Sequence, residues 1–293
     1  MHCALKKGDS MFKHENLKGR VAVVTGGGGV LCSAFAKDLA AQGVKVAVLD
    51  LNKDAAQAVA DEINANGGTA IAIACNVLEK ESLDAARNEV NEKLGTCDIL
   101  LNGAGGNNPK GTTSKEKLEL ADIAEKAEGV KTFFDLDAKG IEFVFNLNFL
   151  GTLLTTQAFA VDMVGKENTT IINVSSMNAF RPLTKIPAYS AAKAAISNFT
   201  QFMAVHFSEV GIRVNALAPG FFSTNQNKAL LYNEDGSLTP RSQKILTHTP
   251  LGRFGTPEDL TGALLFLADE SYSAFVTGVI LPVDGGFAAY SGV

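Results

Sequence analysis

The chain is poor in cysteine and histidine, has no long apolar run and carries no excess of positive charge; each shortage excludes a class of protein. Its four cysteines, Cys3, Cys32, Cys75 and Cys97, are scattered and form no Cys-x-x-Cys pair. That pattern predicts reduced thiols in a cytoplasmic protein, not a disulfide framework. The four histidines, His2, His14, His206 and His248, have no ligand spacing, so no metal site is expected. No segment approaches the roughly 20 apolar residues of a membrane span, and the first residues lack the apolar core of a signal peptide. A net charge of −5 and a pI near 5.5 give no attraction to nucleic acid or to an anionic membrane. There is no internal repeat or low-complexity tract. What remains is a chain of 293 residues, 46% hydrophobic, able to bury a large core near the upper size of one α/β domain. Residues 1–16 read as a poorly ordered leader, with Met11 a candidate start, and residues 17–293 as a single domain.

Short apolar runs alternate with longer stretches of helical periodicity. "VAVVT" (21–25), "KVAVLD" (45–50), "AIAIA" (70–74), "DILLN" (98–102), "TIINVSS" (170–176), "IRVNALA" (212–218) and "GVILPV" (278–283) predict strands. "SAFAKDLAAQ" (33–42), "DAAQAVADEINAN" (54–66) and "ESLDAARNEVNEKL" (81–94) repeat apolar residues at three- and four-residue steps and predict helices. Continuous apolar strands between helices imply a parallel sheet covered on both faces. With right-handed crossovers the expected fold is Rossmann-type α/β, doubly wound, with about seven strands. Two stretches break the rhythm: a charged excursion at about 105–140, with a polar helix expected over 114–127, and an irregular segment at about 220–250. Such connections serve as lids or binding loops, or as solvated surface insertions.

The first strand runs into "TGGGGVLC". Gly27, Gly29 and Cys32 keep a G-x-G-x-x-small spacing between strand and helix. Gly26, Gly28 and Gly29, with Val30 and Leu31, are candidate contacts to the pyrophosphate of a dinucleotide, which the helix N-terminus favours through its amides and dipole. A glycine pattern alone also fits a simple turn, but two features add to it. Asp50 ends the next strand, where a carboxylate accepts hydrogen bonds from an adenosine ribose. A 2′-phosphate there meets that carboxylate with only Lys53 nearby, which favours NAD over NADP. "LLNGAG" (100–105) then brings Asn102, Gly103 and Ala104 to a glycine-bearing strand end beside the same ligand.

"SSMNAFRPLTKIPAYSAAKAA" carries acid–base chemistry. Tyr189 and Lys193 lie four apart in a helix-forming stretch and share one face. A cation so placed favours ionised tyrosine and is expected to lower its pKa from about 10. Such a tyrosine can shuttle a proton to or from a carbinol oxygen. Ser176, thirteen residues upstream at a strand end, can polarise the same oxygen.

With these motifs the chain resembles the short-chain dehydrogenase/reductase family over essentially residues 17–293. The resemblance implies Ser176, Tyr189 and Lys193 as the catalytic set, Lys193 also bonding the nicotinamide ribose. It adds Asn148 of "NFLG" as the asparagine of the proton relay; Asn146 lies nearby but lacks the Asn-x-x-Gly spacing. "APGFFST" matches the segment at the nicotinamide end, bringing Pro219, Gly220 and Phe222, with Thr224 on the amide. "CNV" matches the adenine segment, implying Asn76 and Val77 there. The family implication for assembly is a homotetramer, with a homodimer as the alternative, and the apolar C-terminus suits a subunit contact. Four positions depart from the family pattern: Val30 and Cys32 stand on loop glycines, Gly103 on an asparagine and Ala179 on a glycine. Cys32 is expected to serve as a packing residue where helix meets strand.

"GGNNPKGTT", "FFDLD", "APGFFSTNQNK" and "TPLGRFGTPEDL" resemble a sugar-acid subgroup, the D-mannonate oxidoreductases (fructuronate reductases). That resemblance implies NADH-dependent interconversion of D-fructuronate and D-mannonate. Asn107, Asn108, Asn178, Gln226 and Asn227 supply amides for sugar hydroxyls, and Arg181 or Lys185 a cation for a carboxylate. Asn107, Asn178, Arg181 and Gln226 are the chosen substrate contacts, although each also reads as a solvated loop residue. Competing readings are a dehydrogenase of gluconate or 2-deoxygluconate type, a reductase of apolar carbonyls using Phe180, Phe221 and Phe222, and a non-catalytic NAD-sensing protein.

Overall fold

The computed structural model describes residues 14–224 and 231–292. Seven strands form one sheet: β1 (Val21–Thr25), β2 (Lys45–Asp50), β3 (Thr69–Ala74), β4 (Ile99–Asn102), β5 (Thr169–Val174), β6 (Ile212–Pro219) and β7 (Ile280–Val283). Their order is β3-β2-β1-β4-β5-β6-β7, with every neighbouring pair parallel. The chain therefore reverses its direction of winding between β1 and β4, which opens a crevice at the carboxyl ends of those strands. β1 is buried throughout, as its uninterrupted apolar run requires of a strand covered on both faces.

Helices cover both faces. α1 (Val30–Ala41) and α2 (Lys53–Ala65) follow β1 and β2, and α3 (Lys80–Lys93) follows β3. The Asn52 side chain caps α2 by accepting from the amides of Asp54 and Ala55. Leu39, Val46 and Leu264 belong to the core on one side of the sheet, and Leu83, Phe159 and Met163 to the core on the other. α4 (Ala138–Phe145) and α5 (Gly151–Ala160) are joined by a π-helical turn at Asn146–Leu150, and α6 (Pro187–His206) lies between β5 and β6. α7 (Pro240–Thr247) and α8 (Thr261–Ala268) precede β7.

Three expectations need correction. The polar helix over 114–127 does not form; only Ala121–Ala124 makes a helical turn. Its polar groups bond across the excursion instead: the Ser114 amide donates to the Lys131 carbonyl, and Asp122 accepts from the Glu119 amide and from Lys115. The stretch 220–250 is not wholly irregular, since it contains α7. The expected poor order of residues 1–16 does not hold for residues 14–16. Residues 1–13 lie outside the described residues, but His14 is bonded to the buried Asp269 and Glu15–Leu17 form a 3-10 turn whose Leu17 enters the core.

Candidate active site

β5 ends at Val174, and the chain leaves it through Ser175 and Ser176 directly beside the start of α6. Ser175 fastens the two elements, its Oγ lying 2.7 Å from Ser197 Oγ and 3.2 Å from the Lys193 carbonyl. Ser176 is buried and hydrogen-bonded to Tyr189. Lys193 is only 4% exposed; its Nζ donates to the Val174 carbonyl at 2.7 Å and stands 5.6 Å from the centre of the Tyr189 ring. The sequence-predicted serine, tyrosine and lysine thus converge. Burial lowers the Lys193 pKa to about 8, although Cys32 opposes the shift. The expected lowering of Tyr189 is not observed. Burial pushes its pKa above the ordinary tyrosine value, and only the Ser176 bond acts against it. Desolvation of the phenolate outweighs any help from the lysine, whose ammonium is bonded to a carbonyl.

Asn148 meets this group from a different element. It sits inside the π turn, fully buried, and its Nδ2 donates to the carbonyls of Gly106 (2.8 Å) and Val144 (2.7 Å). A Cβ on Gly105 would fall 2.6 Å from Asn148 Oδ1 and 3.2 Å from Lys193 Nζ. Gly105 is therefore the seam at which the asparagine, the lysine and the end of β4 come together. Single π turns inside α-helices are frequent at functional sites.

The loop after β1 is shaped largely by protein contacts. Gly26 has φ +64°, and a Cβ there would approach Ala104 Cα to 2.9 Å. Cβ atoms on Gly27 and Gly28 would meet Val48 and Ala55 at 2.6 and 2.7 Å. Gly29 differs, since a Cβ there would meet only the loop's own Gly26 carbonyl, at 3.1 Å. Asp50 is held by two backbone donors, Gly28 N on Oδ2 (3.0 Å) and Asn52 N on Oδ1 (2.9 Å), which fixes a carboxylate between the loop and α2. Cys32 is buried against Gly103, as its packing role requires, and burial drives its thiol pKa up to about 12. Thr25 Oγ1 accepts from the amides of Gly103 and Ala104, tying the ends of β1 and β4 together.

A cavity of about 230 Å³ opens beside this loop, lined by Leu31, Gly220, Phe221, Phe222, Thr224, Leu231 and Arg241. Gly220 admits the close passage of Asp284, whose Cα would lie 2.6 Å from a Cβ. Pro219 closes β6 at the same edge. The unencumbered Gly29, the amide end of α1, the fixed Asp50 and this cavity fit a dinucleotide laid across the crevice.

Other predicted contacts are engaged elsewhere. Asn102 turns its amide into the interior, donating to Thr156 (3.1 Å) and Asn173 (2.9 Å), so only its backbone faces the β4 end. Asn76 bonds Glu79 and the Leu78 amide, while Val77 is buried against Gly151. Asn107 is exposed and bonds Thr112 at 3.3 Å. Arg181 Nε donates to the Ala288 carbonyl, tying this loop to the C-terminal segment. Lys185 is exposed, with φ 73°, and its carbonyl accepts from Thr113 of the excursion. Gln226 and Asn227 lie outside the described residues. Asn178 stands apart: it is 4% exposed, two residues from Ser176, and its Oδ1 has no hydrogen-bond partner among the described residues.

Sequence reasoning missed the π turn, the clamps made by Thr25 and Ser175, and Arg241. The first leaves no trace in periodicity. The clamps were legible as hydroxyls at strand ends, but nothing in sequence identified their partners.

The chain belongs to the short-chain dehydrogenase family, whose family model matches residues 20–235. It is 62% identical over 280 residues to an uncharacterised oxidoreductase of Haemophilus influenzae, covering 96% of this chain and 97% of that protein. It is 55% identical over 280 residues to UxuB, an uncharacterised oxidoreductase of Bacillus subtilis, covering 96% and 99%. A crystal structure from H. influenzae, provisionally described as a D-mannonate oxidoreductase and containing bound NAD, superposes with a TM-score of 0.91 at 61% identity, covering 96% and 99%.

Proposed function

We propose that this protein is an NAD-dependent oxidoreductase that interconverts the alcohol and ketone of a sugar acid, reducing D-fructuronate to D-mannonate and catalysing the reverse. The class rests on family membership and on the convergence of Ser176, Tyr189, Lys193 and Asn148. NAD as cofactor is supported by the fixed Asp50 carboxylate and by the NAD bound in the H. influenzae structure. The observation that carries the polar substrate is Asn178, whose buried, unpartnered Oδ1 lies two residues from Ser176. An unpaired buried carbonyl oxygen is costly, and a sugar hydroxyl supplies the missing donor. An apolar carbonyl substrate leaves it unpaired. Among the described residues no helix is long and apolar enough to cross a membrane; a cytoplasmic homotetramer, or a homodimer, completes the reading.

NAD, when bound, supplies the hydride donor or acceptor. The remaining work belongs to the protein. In reduction Tyr189 Oη donates a proton to the substrate carbonyl oxygen, and Ser176 Oγ donates a hydrogen bond to that same oxygen. Its raised pKa keeps Tyr189 protonated at neutral pH and so ready to donate. The Lys193 ammonium stabilises the phenolate that results, and Asn148 keeps the relay's far end in place through its grip on Gly106.

The test is a panel of hexonates and ketohexonates assayed with NAD(H) and NADP(H). Fructuronate is expected to give the fastest NADH oxidation, and Tyr189→Phe to lower kcat by at least about 100-fold while NADH still binds. Equal rates with gluconate-derived ketoacids remove the mannonate assignment. A Tyr189→Phe protein indistinguishable from wild type in every response favours a sensor.

A further inference from the structure

A dinucleotide pyrophosphate carries two negative charges, yet neither the loop 25–32 nor the segment 218–224 contains a lysine or arginine. The buried Lys193 does not supply the cation, because its ammonium sits on the Val174 carbonyl beside Tyr189 and does not line the cavity next to α1. The chain has six arginines. Arg20, Arg87, Arg181, Arg213 and Arg253 are each tied to a carbonyl or carboxylate. Arg241 has no hydrogen bond or ion pair among the described residues, and it lines the cavity that Leu31, Gly220, Phe222 and Thr224 also wall.

Its position is built. Pro240 opens α7, the Thr239 side chain caps the helix by accepting from Ser242 N at 3.2 Å, and Ser242 Oγ donates to the Leu231 carbonyl at 2.6 Å. Leu231 lines the same cavity, so α7 is locked by its first turn to the wall on which Arg241 stands. The cavity touches the first turn of α1 through Leu31, whereas Ser176, Asn178 and Tyr189 do not line it. An anion held there is the cofactor's and not the substrate's carboxylate.

We infer that Arg241 binds the pyrophosphate of the dinucleotide, supplying from α7 the positive charge that the glycine loop lacks. Helix amides and dipole act from α1 and the guanidinium from α7, which line the same cavity, so binding also holds the 231–247 segment against the crevice. Arginine suits this task because its planar donors pair with phosphate oxygens two at a time. The inference rests on the dinucleotide reading but not on which sugar acid is the substrate.

The experiment measures NADH affinity by fluorescence, and ADP-ribose and adenosine affinity by calorimetry, for the full-length wild type, Arg241→Met and Arg241→Lys. Arg241→Met is expected to weaken NADH and ADP-ribose about 10- to 100-fold, leaving adenosine affinity and the substrate KM at saturating NADH unchanged. Arg241→Lys recovers part of the loss, since a point charge remains. Affinities within twofold of wild type for Arg241→Met overturn the inference. So does a raised substrate KM with NADH binding intact, which places the arginine on the substrate. If wild type itself fails to bind NADH, the cofactor reading falls and takes this inference with it.

Discussion

Two of the departures from the family pattern, Cys32 and Gly103, explain each other. A Cβ on Gly103 would collide with Cys32 Sγ and fall 2.8 Å from the Thr25 carbonyl oxygen. The larger residue on α1 and the smaller one at the end of β4 therefore fill one space between them. Cys32→Gly is expected to keep NADH affinity within a few-fold, because it removes a packing atom and no ligand donor. Gly103→Asn alone should weaken binding and lower the melting temperature, and adding Cys32→Gly should recover part of both losses. The recovery is partial because the Thr25 contact persists; contacting pairs couple by about 0.5–3 kcal/mol. Additive effects in the four-protein cycle contradict the shared space. Lys193 carries the opposite balance of stability and function. Its pKa falls from 10.5 to about 8, so between these values the unfolded chain binds more protons, and this group's contribution makes stability rise with pH. Below about 8 the buried ammonium is a net cost of roughly 3 kcal/mol at most. Lys193→Met is expected to be inactive yet at least as stable as wild type at pH 7, its advantage shrinking towards pH 10. Thermal melts across that range check it, and an advantage that grows with pH refutes the account.

Asn148 owes its place to the element around it. The π turn widens the helix at Asn146–Leu150 and sets the amide between two carbonyls, while Thr152 Oγ1 donates to the Asn148 carbonyl at 2.8 Å. Asn148→Ala leaves the Gly106 and Val144 carbonyls without that donor and is expected to cost about 1–3 kcal/mol, read as a lower urea midpoint alongside reduced kcat. Unchanged stability would mean that water replaces the amide without loss. Such elements differ in how legible they were. β1 and the centre of β2 could be read from sequence because burial on both faces demands a continuous apolar run, whereas β6 was legible despite the buried Arg213 and Asn215 within it. Tyr189 and Lys193 were readable for a related reason, since helical spacing alone puts them on one face of α6. The 114–127 helix was misread because periodicity does not reveal whether an apolar face finds a partner. Leu118, Leu120 and Ile123 remain exposed, Leu120 at 91%, and a short helix without a docked face gains little from packing. The Tyr189 pKa was misjudged for want of depth: sequence supplied the neighbouring charge but not the desolvation that overrides it. Arg241 escaped notice because its meaning comes from a cavity assembled by α1, the segment after β6 and α7, which are far apart in the chain.

At the scale of the whole molecule, the crevice at the β1/β4 reversal joins residues from both halves of the sheet, so ligand binding there should stabilise the fold as a unit. A ligand that binds only the folded state at 100 times its dissociation constant adds about 2.7 kcal/mol, or roughly 5–10 °C in melting temperature for a domain near this size. NADH is expected to produce a shift of that order at fixed protein concentration. NADPH should produce almost none at the same concentration, because Asp50 is pinned by Gly28 N and Asn52 N and cannot swing away from a 2′-phosphate. Asp50→Ala removes the repulsion and the ribose acceptor together. The NADH shift should therefore shrink while an NADPH shift emerges, and the difference between the two cofactors should narrow from both sides. Equal shifts from NADH and NADPH in the wild type would show that the carboxylate does not discriminate, and the preference would then have to lie elsewhere in the crevice.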